Sequence, residues 1–228
     1  MIGKLISISG LDGAGKSTQI ALLEENLKIK NLHCVTIQFD AVHYGAKAKE
    51  IISELSKNDF VFTRLCINWE ERFPLIKDFV YDDGLQTPEL ALAVTSVFAG
   101  GCIQVYEECI KPLLLQGVHV VCDRFWLDDI VFRSFWVEEE MIRRLYSKIP
   151  RPDLAIYLKV NPEIIKKRNE SRIDGKSPLL RKIESIDQIC EKFDILANQE
   201  SMVVIHGKNS PDIVGNEILN YVLGILKQ

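Results

Sequence analysis

Gly10-Leu11-Asp12-Gly13-Ala14-Gly15-Lys16-Ser17-Thr18 brings glycines, a lysine and two hydroxyls together near the amino end of the chain. Gly10, four intervening residues, then Gly15-Lys16-Ser17 is the spacing of a loop that cradles phosphates. The glycines let the backbone curl so that successive N–H groups point inward at anionic oxygens. A helix opening near Ser17 adds its positive end. Lys16 supplies a mobile cation for the outer phosphates, and the Ser17 hydroxyl can ligate Mg²⁺. A glycine-rich turn with a stray lysine is the plainer reading. Context argues against it: the apolar run Leu5 to Ser9 precedes the loop, and Ile20, Leu23 and Leu27 repeat at helical spacing after it. Such a loop serves kinases, GTPases, motors and ATP-driven regulators alike. The sequence has no NKxD element of the kind that reads guanine, and Lys57-Asn58-Asp59 has the wrong order.

A second pair of chemically capable residues is Asp123-Arg124, directly after the apolar run Val118 to Cys122. A carboxylate at the tip of a strand beside a phosphate loop can hold Mg²⁺ through water. An adjacent arginine can clamp a phosphate with two parallel hydrogen bonds. Alone, the pair reads equally well as a surface ion pair. Beside a phosphate loop it gains weight.

These residues need elements to position them. Leu5 to Ser9, Cys34 to Phe39, Val118 to Cys122, Ala155 to Val160 and Met202 to His206 read as short buried strands. Helical patterning falls on Ser17 to Lys30, Ala46 to Leu55, Pro88 to Gln116 and a last helix opened by Ser210-Pro211, a favourable cap and first-turn pair. Alternation of this kind predicts an α/β fold with a parallel sheet covered by helices on both faces. Ligands then bind beyond the carboxyl ends of the strands. Residues 56–88 fit the alternation least well. They carry two aromatic-acidic patches, INWEERF and DFVYDDG, and read as an added surface helix pair or long loop.

The chain has 228 residues, 47% of them hydrophobic, and a net charge of -4. That predicts one domain over residues 1–228 with a large core. It argues against a broad basic surface for nucleic acid. No uninterrupted apolar run has the length of a bilayer span, and no secretory signal pattern opens the sequence. Six cysteines (34, 66, 102, 109, 122 and 190) form no CxxC pair and no zinc-like grouping with histidine, so they are expected reduced and mostly buried in a cytoplasmic protein. His33, His43, His119 and His206 show no metal spacing.

On GLDGAGKSTQ, VVCDRF, RPDLAIYLKVNPEIIKKRNESR (Arg151 to Arg172) and MVVIHG, taken in this order, the chain resembles the thymidylate kinase family. The resemblance implies a P-loop NTPase fold with a five-stranded parallel sheet and a mobile lid. It implies ATP as donor, Mg²⁺ as cofactor, and transfer of the γ-phosphoryl group to a nucleoside monophosphate, foremost dTMP. It also implies a homodimer, while the charge balance and the lack of a long apolar run predict no nucleic-acid or membrane partner. Lys16 and Ser17 match the phosphate and metal positions, and Asp123 a further metal position. Asp12 matches an acid that contacts the acceptor sugar, Arg124 the arginine on the acceptor phosphate, and Phe98 an aromatic that stacks on the base. Residues 166–182 match the lid, which in the bacterial form carries the catalytic arginine. Gly13 stands where the phosphate loop would otherwise carry it. Arg172 is the first candidate and Arg168 the second, with Lys176 and Arg181 as further lid cations.

The acceptor side departs from the family pattern. No arginine follows the second strand, where the text is Phe39-Asp40-Ala41-Val42-His43. Cys102 stands where an arginine reads thymine. Asp128, Asp129 and Arg133 stand where hydroxyls and a glutamine face the base. Three readings stay open. Arg133 or a residue of the 58–87 segment replaces the missing cation. The acceptor is a different nucleotide. Or it is a nucleoside, with Asp40 as base for its 5′-hydroxyl. A further alternative, from another class, is an ATP-binding regulatory protein whose acceptor site has decayed.

Overall fold

A computed structural model of the chain describes residues 2–38, 50, 53–64, 87–170 and 186–227. The strands are β1 (Leu5–Ser9), β2 (Cys34–Gln38), β3 (Phe60–Arg64), β4 (His119–Asp123), β5 (Leu154–Lys159) and β6 (Val203–His206). They form one parallel sheet in the order β2-β3-β4-β1-β5-β6. Every residue of β1 is buried, as the near-continuous apolar run requires of a central parallel strand. The helices are α1 (Lys16–Ile29), α2 (Pro88–Val105), α3 (Lys111–Leu115), α4 (Trp126–Arg133), α5 (Glu139–Leu145), α6 (Pro162–Glu170), α7 (Ile186–Gln199) and α8 (Pro211–Ile225). α1 packs on α8, while α4 packs against α2, α5 and α7.

The sheet has six strands, not the expected five. The extra strand is β3, inside the 56–88 segment that had read as an addition to the core. Phe60, Val61, Phe62 and Thr63 are all buried between β2 and β4. Phe-Val-Phe-Thr is a strong strand former, so the signal was present. The aromatic-acidic patches beyond it masked it. Those patches, at residues 67–84, lie outside the described residues. So does most of the expected helix 46–55.

A π-helical turn, Tyr106–Ile110, joins α2 to α3 into one continuous helical stretch. By length and composition alone this stretch, Pro88–Leu115, could cross a bilayer. Its apolar residues are interrupted by Glu89, Thr95, Ser96, Gln104, Glu107, Glu108 and Lys111. Ala91, Val94, Thr95, Ala99, Cys102 and Val105 of the stretch are buried within the core. Pro211 opens α8 as expected, although the Ser210 side chain makes no capping hydrogen bond. Among the described residues, Cys34, Cys102, Cys109, Cys122 and Cys190 are buried and in no disulfide, and Cys66 lies outside them.

Candidate active site

The phosphate loop connects β1 to α1 at the carboxyl edge of the sheet. Gly10, Gly13 and Gly15 all have positive φ, at 144°, 88° and 98°. At Gly10 a side chain is excluded twice over, because a Cβ would also come within 2.9 Å of the Leu158 carbonyl oxygen. Gly15 caps α1 in a left-handed conformation without a side-chain cap, and the first turn of α1 holds no acidic residue. The opening N–H groups of α1 therefore face outward with neither an internal acceptor nor a competing carboxylate, which suits an anion. Ser17 and Thr18 are exposed in that same turn.

Lys16 is only 7% exposed. Its Nζ donates to the Leu11 carbonyl at 3.0 Å and lies 3.9 Å from Asp12 Oδ1. Burial pulls its pKa down from 10.5 to about 8, with the Arg124 charge adding to the effect and Asp12, Asp123 and Asp128 opposing it. A lysine held this way gains most from an incoming polyanion, which replaces the lost hydration.

β4 pairs with β1 so that Asp123 stands opposite Ile8, beside the loop. Asp123 Oδ1 is buried and has no hydrogen-bond partner among the described residues. An orphaned carboxylate oxygen next to a phosphate loop fits a cation or its bound water, so Asp123 and Ser17 are a chemically suitable pair for Mg²⁺. Among the described residues no group of three or more His, Cys, Asp or Glu is arranged to hold a metal ion.

Arg124 follows at once with a φ of 70°, in the left-handed region that a non-glycine residue enters at a cost. Its N–H donates to the Ile8 carbonyl at 3.0 Å, which ties the turn to β1. The guanidinium bridges two carboxylates: Nη2 donates to Asp12 Oδ1 at 2.7 Å and Nη1 to Asp128 Oδ1 at 2.9 Å. Its Cζ lies 5.0 Å from the centre of the Phe132 ring. Asp128, on the first turn of α4, also accepts from Ser9 Oγ at 2.6 Å. Burial raises the Asp128 pKa, against the pull of Arg124 and the Ser9 hydroxyl. The structure thus joins β1, the phosphate loop and α4 through one arginine. Asp128 and Ser9 were missed as partners. The i,i+4 spacing of Arg124 and Asp128 was the available signal.

Arg168 reaches the loop from α6, donating Nη1 to the Gly13 carbonyl at 2.8 Å. Arg172, Lys176, Arg181 and Asp40 lie outside the described residues. Phe98, on α2, carries Arg133 over its ring. Asp129 is engaged by Arg133 and by the Tyr146 hydroxyl, so neither Asp128 nor Asp129 stands as a bare charge facing an anion. Arg64, the last residue of β3, is in register with Asp123. His119 is buried, accepting from the Lys4 N–H, and His33 pairs with Asp59; neither belongs to the site.

A family model described as Thymidylate kinase matches residues 87–218. A thymidylate kinase from Legionella pneumophila is 30% identical over 218 residues, covering 92% of this chain and 89% of the relative. A probable thymidylate kinase from Archaeoglobus fulgidus is 30% identical over 202 residues, covering 88% and 85%. The crystal structure of thymidylate kinase from Ehrlichia chaffeensis shares the fold, with a TM-score of 0.61 over 98% of this chain and 99% of that one at 20% identity. The phosphate loop, the Asp-Arg turn and these relatives agree, and the chain belongs to the thymidylate kinase family.

Proposed function

We propose that the protein transfers the γ-phosphoryl group of ATP to dTMP, giving dTDP and ADP. The observation that carries the reading is the pairing of Lys16 and Arg124 at one carboxyl edge. Lys16 is buried in a loop shaped for the donor phosphates, and Arg124 is fixed directly after the neighbouring strand, placed for the acceptor phosphate. A phosphate oxygen of the acceptor forms the new bond to the γ-phosphorus as the bond to the bridging oxygen breaks, and ADP leaves. The nucleophile is already anionic, so no general base is needed, and the work is positioning and charge neutralisation. Lys16 neutralises the outer donor phosphates. Arg168, resting on Gly13, supplies a cation from the lid side, the role also assigned in sequence to Arg172. Mg²⁺ held by Ser17 and Asp123 would neutralise donor charge.

A monophosphate acceptor is supported over a nucleoside by Arg124, a cation fixed beside the phosphate loop by Asp12 and Asp128. Cytoplasmic location, a homodimer and the absence of nucleic-acid and membrane partners complete the reading. Coupled ADP release, measured with Mg²⁺ across deoxynucleoside monophosphates and thymidine, tests it. Turnover with dTMP is expected. Turnover with thymidine alone would replace the reading with a nucleoside kinase, and ATP binding with no turnover would replace it with a regulator.

A further inference from the structure

Gln19 closes the first turn of α1 and is only 5% exposed. Its N–H donates to the Gly15 carbonyl at 3.0 Å. The N–H groups of Lys16, Ser17 and Thr18, just before it, are the ones a helix start leaves for an anion. The Gln19 side chain runs into the contact between α1 and α8. Nε2 donates to the Pro211 carbonyl at 3.1 Å. Oε1 is buried without a hydrogen-bond partner among the described residues. It lies against Gly215, one turn along α8, where an added Cβ would stand 3.3 Å from it. Burying a carboxamide with its oxygen unpaired opposes stability, and an apolar side chain would fill the same contact without that cost. Leu22, which also borders Gly215, does so. What the amide adds is a fixed position for Pro211.

Pro211 opens α8 directly after residues 207–210, which leave the end of β6. Those residues are also tied to β5. The Gly207 N–H donates to the Lys159 carbonyl at 2.8 Å, and a Cβ on Gly207 would stand 2.7 Å from Val160 Cγ2. Lys208, Asn209 and Ser210 are exposed beyond it. In the sheet, β4 with Arg124 after it lies on one side of β1, and β5 and β6 lie on the other. In-line transfer sets the attacking and leaving oxygens on opposite sides of the γ-phosphorus. An acceptor on the β4 side therefore directs the rest of the donor toward β5 and β6.

We propose that Gln19 is a positioning residue for the donor. Through Pro211 it holds residues 207–210 in a fixed relation to the phosphate loop, so that the nucleoside and the phosphates of ATP are gripped as one unit. This rests on the phosphotransfer reading, which sets the direction of the donor. Gln19 acts through Pro211 and touches no reacting atom.

The test measures binding of ATP and of inorganic tripolyphosphate, which has the phosphates without the nucleoside, by calorimetry with Mg²⁺. KM for dTMP and thermal midpoints are recorded beside it. Q19M keeps the volume and removes the donor to Pro211. G215A leaves α1 intact and displaces Oε1 from the α8 side. Both variants are expected to weaken ATP binding about five- to tenfold, the range of one hydrogen bond. Tripolyphosphate should stay within about twofold of the wild type, dTMP KM should be unchanged, and thermal midpoints should lie within about 3 °C. The double variant is expected to lose no more than Q19M, since G215A then has no amide to displace. Equal losses for ATP and tripolyphosphate would overturn the inference, because Gln19 would then only support the loop. So would unchanged ATP binding in Q19M, or losses that add in the double variant. If Q19M does not fold, G215A decides by the same comparison. A wild type that phosphorylates no monophosphate overturns the phosphotransfer reading, and the binding measurements, which use no acceptor, still decide Gln19.

Discussion

The donor loop and the acceptor wall share one sheet edge but are built in different ways. The loop is a backbone device. Three glycines at positive φ and the uncapped start of α1 supply the donors, and one buried lysine adds charge. The wall is a side-chain device. Arg124 is held between Asp12 and Asp128, Asp128 is anchored by Ser9, and Arg133 lies on Phe98. A backbone site depends on residues that cannot be exchanged, so it stays recognisable. A side-chain site can be rebuilt from different charges, so its chemistry persists while its text changes. Substitutions in the two regions should therefore fail differently, the first in transfer itself and the second in acceptor use.

The largest effect is expected at Lys16. Lys16→Ala should lower kcat by about a thousandfold or more, since a buried cation on the outer phosphates is lost. Its thermal midpoint near neutral pH should equal or exceed the wild type. The folded-state pKa of about 8 lies below the ordinary 10.5, so the folded protein binds fewer protons in that window and burial of the charge opposes stability below it. The same sign makes wild-type ATP affinity fall above about pH 8, toward a tenfold loss per pH unit, as the unliganded lysine gives up its proton. Calorimetry in buffers of different ionisation enthalpy should show proton uptake on ATP binding there. Retained transfer by the alanine variant would remove Lys16 from the mechanism.

Arg124→Lys comes next. A single ammonium cannot bridge Asp12 and Asp128 and also present a fork to the acceptor phosphate. We expect kcat/KM for dTMP to fall about a hundredfold, with ATP KM within about threefold of the wild type. An equal rise in both KM values would erase the distinction between loop and wall. Arg168→Ala should then lower kcat about thirtyfold with both KM values nearly constant, the pattern of an interaction made in the transition state. An unchanged kcat would leave that role to another lid residue.

The same contrast sets how much was legible from sequence. The phosphate loop, β1, α1, the Asp123-Arg124 turn and the parallel alternation were readable, because each follows from local spacing or a run of apolar residues. β3 was not identified, since it lies directly before the aromatic-acidic patches of a segment whose pattern breaks the strand-helix alternation. The wall was read as a set of departures, with Asp128 and Asp129 standing where the family pattern has uncharged groups. Only the fold shows that Asp128 is paired with Arg124, and Asp129 with Arg133 while it also accepts from the Tyr146 hydroxyl. Ser9 to Asp128 spans 119 positions, and no spacing rule reaches that far.

The smallest effect expected is also the sharpest probe of the wall. Asp128 is nearly fully buried, and burial raises its pKa above the ordinary carboxylate value. The folded state therefore holds this proton more tightly than the unfolded chain. The stability it contributes is fully present in acid and is lost as pH rises through the shifted value. Asp128→Asn keeps an oxygen for the Ser9 hydroxyl and removes the charge, so its thermal midpoint should gain on the wild type at neutral pH and converge with it in acid. Arg124 would then be held by Asp12 alone and drawn toward the phosphate loop. Acceptor KM should rise about three- to tenfold, with ATP KM unchanged. In the wild type, acceptor KM should climb as pH falls and Asp128 protonates, whereas in the asparagine variant that part of the profile should flatten. A profile that is the same in both proteins would mean that Asp12 alone aims Arg124, and that Asp128 merely fills the space beneath it.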